Sequence, residues 1–427
     1  MSRAPTLLII TVSLLACTLA GCGPELFEAA MPTASPTQTR GQTPPPTVTP
    51  PTVTPPSSPT PVSSPTAVAV PERPEHFGRY APIIVAYLNA TDGDQDALRA
   101  MLGEWGVLRH ATDLLRINVD DDGVGEILLV IVNPSPEYGA DAEGDLLVLD
   151  DEGKGYEIGY RAAGDSVLPD PALLEVDDLN QDGYTEIAYS STSCGAHTCF
   201  TKVYIVSSGT GTYEDLTSGG IEMAYVEPYF ADWDNDGVLE LIMHGGTIGS
   251  VGAGPQRERT EVYKWDGATY GLTETVLDYS NYLYFRVLDA NQALLEGEFE
   301  RAATLYREAI DNPRLDTWMD ESEREELAAF SRYRLSLTYL MMGEAGLAEA
   351  ARGELQAVQP GNIYDQVVTT LWDAYQAQED LEAACQEVND FAHLHPEAVE
   401  VLNDYGYSNP TFTTEEVCPL ELFSRAI

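Results

Sequence analysis

The sequence predicts a multidomain α+β protein: an antiparallel β region built from a repeated unit, then an all-helical repeat region. Three observations carry this. An acidic loop motif recurs three times between residues 118 and 241, each copy running straight into an apolar, β-prone segment. Beyond about Tyr284 the apolar period changes from two to 3.6, and the composition turns to Ala, Leu and Glu. Ahead of both lies a stretch of Pro, Thr and Ser too poor in large apolar residues to form a core.

Residues 1–21 read as an export signal and are set aside from the fold. Arg3 supplies the positive charge and Leu7 to Leu15 the apolar core. That core is too short for a permanent membrane helix, which needs about 20 residues. The segment closes on Leu19-Ala20-Gly21-Cys22, which resembles the bacterial lipobox. The resemblance implies that the chain is cut before Cys22 and that this cysteine is diacylated on sulfur. The protein is then exported and held on the extracytoplasmic side of a membrane, at the cell surface or in the periplasm. Two or more acyl chains suffice for stable anchoring, where one is marginal. An ordinary secretory signal with a chance cysteine is the other reading.

Residues 22–74 form the linker, most extreme from about Pro32 to Pro71. Proline biases such a chain toward extended polyproline II, so it acts as a semi-rigid spacer. At about 3.1 Å per residue it spans up to roughly 100 Å. A net charge of −47 argues against nucleic acid, whose phosphates need Lys and Arg. It suits cations or a solvated face.

Beyond Cys17 of the signal and Cys22, four cysteines remain: Cys194, Cys199, Cys385 and Cys418. An even number outside the cytoplasm favours disulfides, in any of three connectivities. We expect Cys194 to pair with Cys199 across a tight loop, and Cys385 with Cys418 to tie the C-terminal tail to a helix. A zinc site at Cys194-Gly-Ala-His197-Thr-Cys199 competes with the first pair, with only three ligands.

The β region is expected over residues 75–285, opening with a helical stretch from Tyr80 to Trp105 that covers an exposed edge. Its three loops are Asn118-Val-Asp120-Asp-Asp122-Gly-Val124-Gly-Glu126, Asp178-Leu-Asn180-Gln-Asp182-Gly-Tyr184-Thr-Glu186 and Asp232-Trp-Asp234-Asn-Asp236-Gly-Val238-Leu-Glu240. Their starts are 60 and 54 residues apart. Oxygen side chains at alternate positions converge when the backbone curls, and the glycine permits the turn. That supplies the six to eight oxygens calcium takes, with a backbone carbonyl from Val124, Tyr184 or Val238 and a last carboxylate from Glu126, Glu186 or Glu240. Up to three Ca2+ ions are expected, with a bracing role. Asn118 replaces a carboxylate, so the first site should bind most weakly.

These are not EF-hands. The twelfth loop residue of an EF-hand is a bidentate Glu, whereas Leu129, Tyr189 and Met243 stand there. Each glutamate also opens a β-prone run, such as Ile127-Leu-Leu-Val-Ile-Val, instead of a helix. After each loop come a second apolar strand (Leu146-Leu-Val-Leu, Val203-Tyr-Ile-Val, Val262-Tyr-Lys-Trp) and a shorter one near Tyr156, Tyr213 or Tyr270. Four strands per unit make a propeller blade. The pattern resembles the FG-GAP/VCBS repeats of integrin-α-like proteins over about residues 110–280, which implies β-propeller-like, calcium-binding blades. Only three are visible, whereas propellers typically have four or more. A closed ring, an open array and an oligomeric ring all stay open.

The helical region is expected over residues 286–427. Gly297-Glu-Phe299-Glu-Arg-Ala302-Ala-Thr-Leu-Tyr306-Arg-Glu-Ala309-Ile310 resembles the second half of a tetratricopeptide repeat (TPR). Leu335, Tyr339, Gly343, Ala348 and Pro360 fit the same frame, as do Leu371, Tyr375, Ala384 and Pro396, with Glu379 in place of the glycine. Three TPR-like repeats follow, with an insertion from Arg314 to Glu325 in the first. They form a solenoid of the kind that offers a concave face to peptides or helices; a generic helical bundle is the alternative.

No catalytic motif stands out. The run Gly245 to Gly254 lacks the Lys-Ser/Thr ending of a phosphate loop and reads as a mobile loop between strands. His393-Leu-His395 reads as a helix cap before Pro396. The expected role is that of a non-enzymatic, calcium-binding envelope lipoprotein with a protein or glycan partner. A TPR-based scaffold of an envelope complex and an extracellular hydrolase are the competing readings.

Overall fold

The computed structural model describes residues 68–119, 123–135, 142–151, 153–164, 166–209 and 212–424. The residues read as an export signal, Cys22 and most of those read as a linker lie outside them. These described residues form one compact unit.

Two helices open it, α1 (Tyr80–Ala90) and α2 (Gln95–Trp105). Asp94 caps α2 by accepting from the Asp96 and Ala97 N–H groups at 3.0 Å, and Gly106 ends it in the left-handed conformation. The first sheet holds β1 (Leu114–Ile117), β2 (Glu126–Val132), β3 (Glu143–Asp150), β4 (Glu157–Arg161) and β5 (Leu168–Pro169). The second holds β6 (Pro171–Asp177), β7 (Glu186–Cys194), β8 (Cys199–Ser207), β9 (Glu214–Asp215) and β10 (Ile221–Ala224). The third holds β11 (Glu227–Ala231), β12 (Glu240–Gly245), β13 (Arg259–Trp265) and β14 (Tyr270–Leu277). All pairings within these sheets are antiparallel, and each acidic loop links a sheet's first two strands in this chain order.

The sheets stack in layers. Every residue of β2 is buried, because both faces of the first sheet are covered. Ile127, Leu129 and Ile131 pack on Ile84, Leu88, Met101 and Leu102 of the two helices. The helices therefore cover a sheet face and not, as the sequence suggested, an edge. A five-strand sheet with an apolar face has far more surface to bury there than along its rim. Leu128, Val130 and Leu146 turn the other way, onto Ile187, Tyr189 and Val206 of the second sheet. Ala188, Val203 and Ile205 then meet Leu241 and Met243 of the third. The continuous apolar runs in the sequence are strands buried on two sides.

The helical part comprises α3 (Leu283–Leu295), α4 (Phe299–Asp311), α5 (Glu321–Met341), α6 (Ala345–Val358), α7 (Ile363–Gln378), α8 (Leu381–Leu394), α9 (Glu397–Asn403) and α10 (Glu421–Ser424). The expected boundary at residues 285/286 falls inside α3. Among the described residues, no helix is long and apolar enough to cross a membrane. Three tight turns join α3 to α4, α5 to α6 and α7 to α8. Gly297 (φ +79°) and Gly343 (φ +76°) take the left-handed conformation there, and Glu379 (φ +55°) takes it in the third. Tyr306 is fully buried, with its hydroxyl donating to Asn291 Oδ1 at 2.6 Å.

Both expected disulfides are present. Cys194 and Cys199 face each other across the β7–β8 hairpin, with Cα atoms 3.9 Å apart, so the zinc reading of these thiols falls away. Cys385 on α8 bonds Cys418 in the tail, which also exchanges two hydrogen bonds with the Asn389 side chain.

The glycine-rich loop between β12 and β13 is pinned and does not hang free. Ser408 Oγ donates to the Ala253 carbonyl at 2.5 Å, and the Tyr407 N–H to that of Gly252 at 3.1 Å. A Cβ on Gly254 would stand 1.5 Å from the Tyr405 carbonyl oxygen, and one on Gly249 1.9 Å from that of His197. The glycines allow backbone to approach backbone: Gly249 packs on the β7–β8 hairpin, and Gly254 joins the β and helical parts. Arg257 adds an ion pair with Asp289 at 2.7 Å.

Candidate metal centre

Each acidic loop is built the same way around the glutamate that opens the sheet's second strand. Glu126, Glu186 and Glu240 are essentially unexposed. One oxygen of each accepts from the N–H of the loop's second residue: Val119 at 2.6 Å, Leu179 at 2.9 Å and Trp233 at 2.6 Å. Glycine at the sixth position has φ of +86°, +92° and +95° at Gly123, Gly183 and Gly237. Gln181 (φ +59°) and Asn235 (φ +63°) hold the fourth position of the second and third loops in the same left-handed region. The glutamate and the two left-handed residues together curl the loop.

In the second loop, Asp178 Oδ1 and Asn180 Oδ1 both accept from the Asp182 N–H, at 3.1 and 2.9 Å. Asp182 in turn accepts from the Tyr184 N–H at 2.9 Å. The third loop repeats this, with Asp232 and Asp234 on the Asp236 N–H at 3.0 and 3.2 Å and the Val238 N–H on Asp236 at 2.8 Å. The loops touch: the Leu239 N–H donates to the Leu179 carbonyl at 2.8 Å, and the Gln181 amide donates to the Gly237 carbonyl. In the first loop, Asn118, Val124 and Glu126 are described, while Asp120 and Asp122 lie outside the described residues. Asn118 Oδ1 is buried and accepts no hydrogen bond among the described residues.

Residues 178–243 match the model of the FG-GAP-like repeat family. The matched FG-GAP-like stretch begins on Asp178 and ends in β12, so it contains both the second and third loops. No curated protein and no solved structure matches the chain.

The two loops of this stretch differ in charge balance. Glu186 Oε1 is buried and has no hydrogen-bond partner among the described residues. Burial pushes this carboxyl up to about 7; the charge of Asp182 adds to the rise, while hydrogen bonds from Ser207 and Leu179 oppose it. A buried carboxylate oxygen without a donor calls for a proton or a cation. Asp178, Asn180 and Asp182 belong to the same loop, and the charge of Asp182 acts on Glu186. In the third loop, ligand oxygens of Asp232, Asp234 and Glu240 lie within 4.8 Å of one another. There the Lys264 ammonium stands 2.5 Å from Asp234 Oδ2 and 3.6 Å from Glu240 Oε1.

Sequence reading missed Lys264, whose only signal was its place on the strand that pairs with the one Glu240 opens. It also missed a second group, His244, Glu258 and Asp278, with ligand atoms within 4.8 Å. Those residues come together only once β12, β13 and β14 are aligned.

Proposed function

We propose that this chain is an exported, lipid-anchored binding protein whose β region is braced by calcium and which engages a protein or glycan partner without catalysis. The observation that carries the calcium reading is the fully buried Glu186, one oxygen of which has no hydrogen-bond partner among the described residues, at the end of the loop that also holds Asp178, Asn180 and Asp182. The carbonyl of Tyr184 completes the set, and the first loop supplies its counterpart from Asn118, Asp120, Asp122, Val124 and Glu126. Calcium there neutralises carboxylates that otherwise repel one another and ties the loop to the strand behind it.

The binding reading is supported by the third sheet's outer face. Leu241 and Met243 turn inward, so Ile242, its partner Tyr229 and Val262 face outward. Ile242 and Val262 are nevertheless fully buried, while Tyr229 and Trp233 stay about half exposed above the sheet. Trp233 Nε1 donates to Glu274 Oε2 at 3.1 Å, which fixes the indole. Rigid, exposed aromatic rings flanked by carboxylates suit sugar rings or a protein contact.

Binding of the full-length protein to a glycan array and to crosslinked neighbours on intact cells tests this. Trp233→Ala and Tyr229→Ala should abolish that binding with the fold intact. Binding indifferent to both would contradict the proposal. Cys22→Ala should release the protein from membranes or leave it unprocessed.

A further inference from the structure

The three sheets differ at one position, across from the buried glutamate. On β8 the residue paired with Glu186 is Ser207. On β13 it is Lys264, next to Tyr263, the partner of Leu241. On β3 it is Asp150, next to Leu149, the partner of Ile127. The same place in three equivalent blades thus holds a hydroxyl, an ammonium and a carboxylate. A strand register leaves this side chain no choice of direction, because successive residues alternate between faces.

In the third blade the consequence is direct. Lys264 Nζ contacts two of the three converging carboxylates, Asp234 at 2.5 Å and Glu240 at 3.6 Å. A calcium ion bound to the same oxygens at about 2.3–2.6 Å would sit against the ammonium, two positive charges in one pocket. The lysine also meets the need that Glu186 leaves open in the second blade, since Glu240 has a cation beside it. Hydrogen bonding to Lys264 holds the Asp234 carboxyl below the usual carboxylate range.

We propose that Lys264 is the tethered cation of the third loop: its ammonium takes the place of the metal ion, so this blade is braced without calcium. The second blade, with Ser207 opposite its glutamate, keeps that place for an ion. This builds on the calcium reading of the second loop, and the test separates the two.

The full-length chain in detergent is examined by native mass spectrometry with calcium, and by thermal melting in chelator. Asp236→Ala in the otherwise unchanged protein should leave the number of bound ions as it was, whereas Asp182→Ala should remove one. Lys264→Ser, which installs the second blade's hydroxyl, should bind one ion more than the parent and lose it again on adding Asp236→Ala. In chelator Lys264→Ser should melt below the parent, Lys264→Arg should melt close to it, and calcium should close the gap for the serine variant. Loss of an ion from Asp236→Ala in the Lys264 protein overturns the proposal, because the third loop then takes metal beside the lysine. Parental melting of Lys264→Ser in chelator overturns it equally. If Asp182→Ala removes no ion, the calcium reading of the second loop fails, and the chelator melts alone decide the role of Lys264.

Discussion

The backbone N–H of Leu239 donates to the carbonyl of Leu179 across 2.8 Å, so the third acidic loop hangs on the second. With the Gln181 amide on the Gly237 carbonyl, the two loops form one hydrogen-bonded rim. A change in one should therefore be felt in the other, as expected for groups that share partners. Asp182→Ala should speed hydrogen exchange of amides in residues 232–239 as well as in its own loop. Unaltered exchange in the third loop would show that the two are independent.

In the metal-free protein Glu186 titrates near neutrality. Its folded value is raised to about 7 by burial, above its ordinary value. The folded state thus holds this proton more tightly than the unfolded chain does. The resulting stability is full below the ordinary carboxylate value and is lost as the pH rises through about 7. In chelator, the melting temperature should rise between about pH 8 and about pH 6 more steeply for the parent than for Glu186→Gln. Calcium should erase that difference, because the ion takes the proton's place. Parallel pH profiles for the two proteins would remove Glu186 from the account.

Glu379 sits at φ +55° in the turn from α7 to α8, where Gly297 and Gly343 make the two earlier turns. A left-handed conformation costs an L-residue roughly 1–2 kcal/mol, partly offset by the extra unfolded-state freedom that glycine brings. Glu379→Gly should stabilise the protein by about 0.5–1 kcal/mol, read from denaturant melts. A destabilised variant would mean that the glutamate makes a contact worth more than the strain.

The two disulfides close loops of different length, with separations of 33 residues for Cys385–Cys418 and 5 for Cys194–Cys199. Chain entropy then makes the longer one worth about 3–4 kcal/mol and the shorter about 2. Replacing both cysteines of a pair by serine should lower stability more for the C-terminal bond, which also secures the Asn389–Cys418 hydrogen bonds. The reverse order would mean that the hairpin bond does more than shorten a loop.

What could be read in advance follows from which interactions are local. The acidic loops, the strands they open and the turn at Glu379 are set by side chains within a dozen residues of one another, so their periodicity and spacing were legible. Both disulfides followed from the even number of cysteines and the shape of the intervening chain. The rest depends on distant segments. That α1 and α2 lie on a sheet face depends on Ile127 and Leu149 having no other cover, which no local pattern records. The glycines between β12 and β13 read as freedom, yet they serve the close approach of Tyr405 and Tyr407. Lys264 looked like an ordinary strand lysine, because its partner Asp234 lies thirty residues away in the loop before β12.

We propose the second loop as a cation site on which the β region leans. The most direct measurement is the melting of the full-length protein in calcium and in chelator, with bound ions counted by native mass spectrometry, for the parent and Asp182→Ala. Ligand held only by the folded state stabilises it by about 2.7 kcal/mol at a hundredfold excess over Kd. The expected result is a higher melting temperature in calcium for the parent, a smaller response to magnesium with its stricter octahedral geometry, and one ion fewer with a blunted response for Asp182→Ala. Identical melting in calcium and chelator, with no ion bound to the parent, would contradict it and leave these loops as acidic turns.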